Sequence, residues 1–373
     1  MSAKRTCILV LGMHRSGTSL LTRIISLLGA RLPKTLMAPN GSNQAGYWES
    51  QALTAINDDL LSAAKSSWYD WTAIDDSRLF SADLSHFEAE ISDTIAQEFS
   101  GSPLIVLKDP RISRLMPIYS RALQAQGFDL SCVQITRSPN EVAGSLYRRN
   151  KISTSFSFLL WLRHTLEAEQ ASRGLNRMFV TYSELLENRT QVLHRLSTWG
   201  QAFGLLTSEE ALNEAAAQVR VELRHHHASQ ERSLESQELE ELIARTHAAI
   251  ETLGTDPYQS TALDILEQSK AQLDLISAVS GPSFRDLVPH NPDRVTIQLL
   301  GPELKLKQEN MVLRQLLTRA LSNPLVPIIR LVWYFGARVL ALLLQNIHPR
   351  AAQELRQTAK AKHPKRYEHR PDA

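Results

Sequence analysis

Cysteine is scarce in this sequence, which excludes a fold that depends on several disulfides or on a zinc site with cysteine ligands. Only Cys7 and Cys132 occur among 373 residues, so the chain has neither a disulfide framework nor the cysteine spacing of a zinc site. Both cysteines lie in apolar runs typical of buried strands, where a free thiol behaves as a small hydrophobic side chain. We therefore expect both in the core.

An excess of charge of one sign is also missing. The chain has 41 basic and 39 acidic residues, a net charge of +2. Such a balance gives no reason to expect a nucleic-acid partner. The hydrophobic fraction of 43% is ordinary for a globular protein and sufficient for a large core.

A secretory signal peptide is not indicated either. Lys4 and Arg5 precede an apolar run, but His14 and Arg15 interrupt it and no small-residue cleavage site follows. The run is better interpreted as a first core strand. We accordingly expect a cytoplasmic protein whose first domain begins at the N-terminus.

Four apolar runs have the length and composition of strands buried on both faces, and segments of helical periodicity separate them. The runs cover residues 6–11, 103–107, 130–136 and 177–180. Strands that alternate with helices predict an α/β fold: a parallel sheet with helices on both faces, joined by right-handed crossovers. Ligands of such sheets bind at the carboxyl ends of the strands.

The sequence divides into three parts. Residues 1–280 form the predicted α/β domain, a proline-containing stretch over 281–301 forms a linker, and 302–373 form a helical extension. Within the extension, residues 324–347 are strongly apolar but include two arginines, which disfavours a membrane span. Two interpretations remain open: a helix on a membrane surface, followed by a basic tail, or a helix packed on protein, including a second copy of the chain.

The first strand is followed by a glycine-containing turn that leads directly into a helix. It reads Gly12, Met13, His14, Arg15, Ser16, Gly17, Thr18 and Ser19. Such a turn directs backbone N–H groups and the positive end of the helix at an anion. The two glycines permit a tight backbone, and the hydroxyls add donors. The turn is a candidate phosphate loop.

The loop departs from the ATP-binding Walker A pattern. That pattern requires lysine where Thr18 stands, whereas this chain places its cation at Arg15, inside the loop. The departure argues against an ATPase or kinase and favours a nucleotide with a single 5′-phosphate.

A second candidate phosphate site follows the third strand. Arg137 stands at the strand end, Pro139 fits the first turn of a helix, and Ser145 lies about two turns into that helix. Arginine suits bidentate binding of phosphate, and serine adds a hydroxyl donor. Two separate phosphate sites would fit a nucleotide that is phosphorylated at both ends of its ribose.

Together these two motifs resemble those of the sulfotransferases that use 3′-phosphoadenosine 5′-phosphosulfate (PAPS), particularly bacterial members and the tyrosylprotein sulfotransferases. The resemblance covers residues 1–225. It implies a P-loop-like fold, Arg15 at the 5′-phosphate and bridging oxygen, and Arg137 with Ser145 at the 3′-phosphate. It also implies that no metal is required, since fixed cations neutralise the transferred group.

The segment Gly46, Tyr47, Trp48, Glu49 is similar to one in many bacterial sulfotransferases. By this resemblance Glu49 is the general base that accepts the proton of the acceptor. The alternative is an acidic residue that interacts with the dipole of the next helix.

The second strand ends in Lys108, Asp109, Pro110 and Arg111, similar to the tyrosylprotein enzymes. The resemblance implies that Lys108 stabilises sulfonate charge. Asp109 then orients Lys108 or is itself the base, unless Asp109 and Arg111 form a structural salt bridge. Tyr182, after the fourth strand, resembles the family tyrosine beside the adenine, with core packing as the alternative.

The sequence thus predicts a sulfotransferase that transfers the sulfonate of PAPS to a hydroxyl or amine of a carbohydrate, glycolipid or small metabolite. Two other classes stay open: a P-loop nucleotide kinase or hydrolase, and a non-catalytic nucleotide-binding scaffold. The cytosolic family members close the nucleotide site with an Arg-Lys-Gly segment, which this sequence lacks; the region around Arg224 is the candidate replacement.

Overall fold

The structure is a computed structural model, and it describes residues 5–39, 43, 46–74, 76–79, 81–150, 152–219 and 237–287. The chain divides into two compact units, residues 1–231 with 243–270 and residues 232–242 with 271–373. The candidate site lies in the first unit. The region around Arg224, most of the predicted linker and the whole C-terminal extension lie outside the described residues.

The centre of the first unit is a parallel sheet of four strands in the order β2-β1-β3-β4. The strands are β1 (Arg5–Leu11), β2 (Leu104–Leu107), β3 (Phe128–Thr136) and β4 (Asn176–Thr181). Their side chains are almost entirely buried, as expected for a parallel sheet covered on both faces. The predicted α/β class and all four predicted strands are confirmed.

The register places the carboxyl ends of β1, β2 and β3 next to one another. β1 pairs with β2 from Thr6↔Leu104 to Leu9↔Leu107 and with β3 from Arg5↔Phe128 to Leu11↔Gln134. After β1 the chain first forms β2 on one side of β1, and later forms β3 on the other side of β1. The crevice between β1 and β3 is therefore the topological switch point, where open α/β sheets bind ligands.

Twelve α-helices belong to the described part of the chain. They are α1 (Thr18–Leu27), α2 (Gln51–Ala63), α3 (Asp76–Leu79), α4 (Ser85–Glu98), α5 (Ile112–Ala125), α6 (Pro139–Asn150), α7 (Thr154–Ala171), α8 (Tyr182–Glu187), α9 (Arg189–Gly200), α10 (Glu209–Ala217), α11 (Gln237–Leu253) and α12 (Ser260–Leu287).

The two faces of the sheet bury separate hydrophobic clusters. One cluster joins alternate residues of β1, such as Leu9, to α2, α4 and α5. The other joins the intervening residues, such as Ile8 and Val10, to α1, α8, α9 and α10. This division follows from the alternation of side chains along a strand.

Side-chain caps fix where several helices start. Ser50 accepts a hydrogen bond from the Leu53 N–H at the start of α2, and Ser153 accepts one from the Phe156 N–H at the start of α7. Such caps satisfy N–H groups that have no partner within the helix. The cap at Ser153 starts α7 at Thr154.

The linker predicted to begin at residue 281 does not coincide with the end of a helix. Helix α12 runs from Ser260 to Leu287 and includes Pro282, so the first residues assigned to the linker are helical. The division into domains stays a prediction. Among the described residues, no helix has the length and hydropathy that a membrane crossing requires.

Candidate active site

The turn between β1 and α1 has the backbone geometry of an anion-binding loop. Gly12, Arg15 and Gly17 have φ angles of 143°, 70° and 95°, in the region that favours glycine. A Cβ on Gly12 would lie 2.4 Å from the carbonyl oxygen of Ile135, and one on Gly17 would lie 2.5 Å from the Tyr182 ring. The loop can therefore pack this closely against Ile135 and Tyr182 only with glycine at positions 12 and 17.

Several polar groups in and beside this loop have no hydrogen-bond partner among the described residues. The first bond of α1 runs from the Leu21 N–H to Gly17 O, which leaves the N–H groups of the first turn without intrahelical acceptors. In the described part of the chain, Ser16 Oγ and Thr136 Oγ1 are buried without a hydrogen-bond partner. Buried polar groups of this kind are costly unless a ligand or water binds them.

Arg15 and Arg137 lie together at the ends of the adjacent strands β1 and β3. Arg137 Nη1 donates to the main-chain oxygen of Arg15 over 3.2 Å. Arg15 Nε donates to Ser145 Oγ over 2.9 Å, so Ser145 contacts the first cation as well as following the second in sequence. The two predicted phosphate sites are thus one continuous cationic surface.

Other residues fix the position of Arg137. Its Nε donates to Glu141 Oε2 over 2.6 Å, one helical turn away, and its main-chain oxygen accepts from Trp161 Nε1 over 3.1 Å. Its guanidinium lies 4.4 Å from the centroid of the Tyr182 ring. Tyr182 is buried between Arg137 and Gly17 and so packs against both phosphate-binding motifs.

Burial and like charge lower the pKa of Arg15. Desolvation is the main cause, and the neighbouring Arg149 and Arg137 add to it. A guanidinium still stays protonated. A bound anion would relieve this repulsion, which is the electrostatic reason to expect one here.

Glu49 and Lys108 form a buried ion pair. Lys108 Nζ donates to Glu49 Oε1, to Ser19 Oγ over 3.2 Å and to Tyr47 O over 3.1 Å. Glu49 is 5% exposed and Lys108 is 3% exposed. This pair joins the end of β2 to the first turn of α1 and to the loop before α2.

The Glu49 carboxyl has a raised pKa. Burial is the larger cause and favours the neutral acid, while the charge of Lys108 acts in the opposite direction. A carboxylate with increased proton affinity is suited to accept a proton from a hydroxyl or amine.

Asp109 is held by structural contacts. Its carboxylate accepts from the Arg111 N–H and Nη1, from Asn57 Nδ2 and from Thr54 Oγ1. Although burial raises the pKa of Asp109, Arg111 and these hydrogen bonds lower it overall. Arg111 is also paired with Asp58 over 2.6 Å. These contacts are those of the structural salt bridge that the sequence left open as the alternative for Asp109 and Arg111.

His14 packs against two aromatic rings from outside the phosphate loop. Its ring centroid lies 4.9 Å from that of Trp68 and 5.7 Å from that of His164. Within the described residues, His14 Nε2 is buried without a hydrogen-bond partner. Burial, helped by His164 and nearby cations, lowers the pKa of His14 well below its usual value, so the ring is neutral at pH 7.

The residue before Glu49 has a strained backbone. Trp48 has a φ angle of 60°, which is unusual for a bulky residue, and it directly precedes Glu49. The guanidinium of Arg23 lies 4.8 Å from the Trp48 ring. Strained residues held by their surroundings are typical of functional sites.

Sequence reasoning missed several residues that support this site. Glu141 could have been found from its i,i+4 spacing to Arg137. Glu98 carries no such signal: it lies at the end of α4 and accepts from Thr35 N–H over 2.9 Å and from Ser50 Oγ over 3.2 Å. Trp68 and Arg149 likewise follow no pattern in the sequence. Among the described residues, no group of three or more His, Cys, Asp and Glu could hold a metal ion.

No protein-family model and no curated protein sequence matches the chain. Several solved structures resemble it. A sulfotransferase domain from the curacin biosynthetic pathway has a TM-score of 0.38 at 16% identity, over 66% of this chain and 99% of that one.

Two further structures have similar scores. A sulfotransferase domain of the Synechococcus PCC 7002 olefin synthase has a TM-score of 0.39 at 17% identity, over 66% of this chain and 97% of that one. Mouse sulfotransferase SULT7A1, complexed with PAP, has a TM-score of 0.32 at 13% identity, over 73% of this chain and 90% of that one. All three are sulfotransferases, the family that the sequence motifs resemble, but TM-scores below 0.5 do not establish function.

Proposed function

We propose that this chain is a sulfotransferase that takes its sulfonate group from PAPS and transfers it to a hydroxyl or amine. The observation that carries the proposal is the contact between Arg137 Nη1 and Arg15 O. It joins two phosphate-binding motifs at the ends of neighbouring strands, beside the switch point of the sheet.

The residues present fit a nucleotide with phosphates at both ends of its ribose. The loop offers unpaired donors, including the buried Ser16 Oγ, for a 5′-phosphate. Arg137, oriented by Glu141, is placed for a 3′-phosphate. Tyr182 supplies an aromatic surface between these motifs on which an adenine could pack.

The donor would supply an activated sulfonate, whose bond to the phosphate oxygen breaks as a bond from sulfur to the acceptor oxygen or nitrogen forms. Glu49 accepts the proton that the acceptor loses. Lys108 and Arg15 are placed to neutralise negative charge on the sulfonate and on the leaving oxygen. Positioning and charge neutralisation are the main contributions of a protein to a loose, in-line group transfer.

A nucleotide kinase is the second candidate, and the position of the cations counts against it. Thr18 stands where a Walker A loop has lysine. ATP also has no 3′-phosphate to occupy Arg137. The acceptor proposed from the sequence remains a carbohydrate, glycolipid or small metabolite.

Ligand-induced stabilisation tests the proposal. Melting temperatures are compared with 3′,5′-diphosphoadenosine, ATP and AMP, for the native chain and for Arg137→Ala. We expect the diphosphate to stabilise the native chain most, and the variant to bind it about 10- to 100-fold more weakly, since one charge-assisted phosphate contact is lost.

Arg121→Ala is the matched control, because Arg121 pairs with Glu88 at the surface, away from the site. It should bind the diphosphate as the native chain does. Equal stabilisation by ATP, or an Arg137→Ala variant with unchanged affinity, would show that the proposal is wrong.

A further inference from the structure

The phosphate loop directs two successive side chains to different neighbours. Arg15 reaches Ser145 of α6, in the group that contains Arg137 and Tyr182. His14 packs instead on Trp68 and His164. The loop therefore separates a nucleotide side, near β3 and β4, from a second side.

The second side is the one that carries the reacting groups. His164 contacts Pro110 O over 3.3 Å and Trp68 O over 3.1 Å. Pro110 follows Lys108 closely at the end of β2, and Lys108 pairs with Glu49. An acceptor whose proton goes to Glu49 must approach on this side, next to His14 and Trp68.

Trp68 also contacts a cation that belongs to neither phosphate motif of the sequence, although it lies near Arg15. The Arg149 guanidinium lies 6.0 Å from the centroid of the half-buried Trp68 ring. Arg149 is exposed in the last turn of α6, next to the equally exposed Arg148. Within the described residues neither arginine forms an ion pair with an acidic side chain. Arg149 is thus an uncompensated positive charge beside the reacting side.

His14 adds an unsatisfied polar atom to the same place. Its Nε2 is buried and, in the described part of the chain, lacks a hydrogen-bond partner. Arg149 is close enough to contribute to the lowered pKa of His14. Arg149 and His14 thus both contact the Trp68 ring. An anionic ligand bound beside Trp68 would neutralise the charge of Arg149 and give the His14 ring nitrogen a hydrogen-bond partner.

We infer that the acceptor carries an anionic group, such as a carboxylate, and that Arg149 binds this group beside Trp68 with His14 as a second contact. This inference rests on the proposed function. It adds a substrate class: acidic saccharides or acidic small metabolites are accepted in preference to neutral analogues. Arg149 is then a specificity-determining residue that takes no part in proton or sulfonate transfer.

A pair of matched probes tests the inference. Methyl β-D-glucopyranosiduronate and methyl β-D-glucopyranoside share a ring and hydroxyl groups and differ in one carboxylate. Their affinities are measured by calorimetry on the protein saturated with 3′,5′-diphosphoadenosine. We expect the carboxylate probe to bind the native chain about tenfold more tightly, as one charge-assisted contact would give.

Two variants at adjacent positions locate the contact. Arg149→Gln should abolish the preference for the carboxylate probe, while Arg148→Gln should keep it, because Arg148 lacks the contact with Trp68. Equal affinities in the native chain, no binding of either probe, or the same loss in both variants would overturn the inference.

The nucleotide affinity of each variant separates this inference from the proposed function. Arg149→Gln should weaken the binding of 3′,5′-diphosphoadenosine far less than Arg137→Ala does, since Arg149 lies near Arg15 but belongs to neither phosphate motif; a loss as large as that of Arg137→Ala would assign Arg149 to the nucleotide and refute the inference. If the native chain does not bind the diphosphate, the proposed function is wrong. The anion site is then judged by the same probe pair and variants on the free protein.

Discussion

Glu49, the proposed general base, is a buried carboxyl group. Lys108 holds it in a pair that is almost free of solvent, so the charge of the lysine compensates part of the desolvation cost. Burial still raises its pKa above the ordinary value of 4.5. The group therefore has more affinity for a proton than an exposed glutamate.

Replacement of Glu49 by glutamine should lower the transfer rate by about 10² to 10⁴-fold, the usual contribution of a general base. In the native chain kcat/KM should rise with pH through a midpoint above 4.5, since only the ionised base accepts a proton. Release of 3′,5′-diphosphoadenosine from PAPS measures both. A midpoint below that value, or a variant that retains its rate, would contradict the role of Glu49.

At the residue scale, the sequence predicted which cations lie at the site better than it predicted which side chains these cations contact. Gly12, Lys108 and Arg137 each follow a strand, and parallel strands end at one edge, so their proximity could be predicted. The contact between Arg15 and Ser145 depends on the positive φ angle of Arg15. No pattern of residue types encodes that direction, nor the turn of His14 toward Trp68.

At the scale of elements, the end of α4 is hydrogen-bonded to the segment that contains Glu49. Glu98 accepts from Thr35 N–H, Thr35 Oγ1 and Ser50 Oγ, and Met37 N–H donates to Glu49 O over 2.8 Å. Glu98 thus ties the end of a helix to both sides of the loop that positions Glu49.

Glu98→Gln should reduce the free energy of unfolding at pH 7 by about 1–3 kcal/mol, because charge-assisted hydrogen bonds are lost. Although burial alone raises the pKa of Glu98, hydrogen bonds from Thr35 and Ser50 lower it overall. The stabilisation is therefore complete above the ordinary pKa of 4.5 and is lost as the pH falls below it. Denaturant unfolding at several pH values measures this dependence, which should be weaker in the variant.

Glu88→Gln is the control on the same helix, since Glu88 pairs with Arg121 at the surface and surface pairs contribute about 0–1 kcal/mol. An equal effect of the two substitutions, or a native chain that gains stability below pH 4.5, would show that Glu98 does not anchor the loop.

Elements were predictable where local patterns and burial agree. The four strands are continuous apolar runs, and their alternation with helices predicts the parallel sheet. Helix α12 shows the opposite case: Pro282 predicts an end, yet the helix continues to Leu287. Local propensity is a weak guide in a long helix, so this boundary could not be obtained from residue types alone.

On the scale of the whole unit, a buried charge cluster ties the sheet to a segment distant in sequence. Arg177 of β4 pairs with Glu169 of α7 over 3.0 Å, and its Nη2 donates to Pro257 O over 2.8 Å. Arg173 pairs with both Glu169 and Glu267. Residues 243–270 are thereby attached to the end of the sheet that lies opposite the candidate site.

Glu169→Ala should lower the free energy of unfolding by about 3–5 kcal/mol, because it leaves a buried guanidinium without its carboxylate. Glu169 is 1% exposed at its side chain, whereas Glu267, bound to the same Arg173, is 70% exposed. Glu267→Ala should therefore cost no more than about 1 kcal/mol. Equilibrium unfolding in urea compares the two, and similar losses would refute a special role for the buried pair.

The strand order has a consequence for synthesis of the chain on the ribosome. β1 leaves the exit tunnel first, but its partners are far downstream, since Thr6 pairs with Leu104 and Arg5 with Phe128. During that interval both edges of an apolar strand are open to incorrect pairing. Because β1 is central in the sheet, the phosphate loop lies between two neighbouring strands. For the same reason, the nascent chain needs protection from incorrect strand pairing until β3 has been translated.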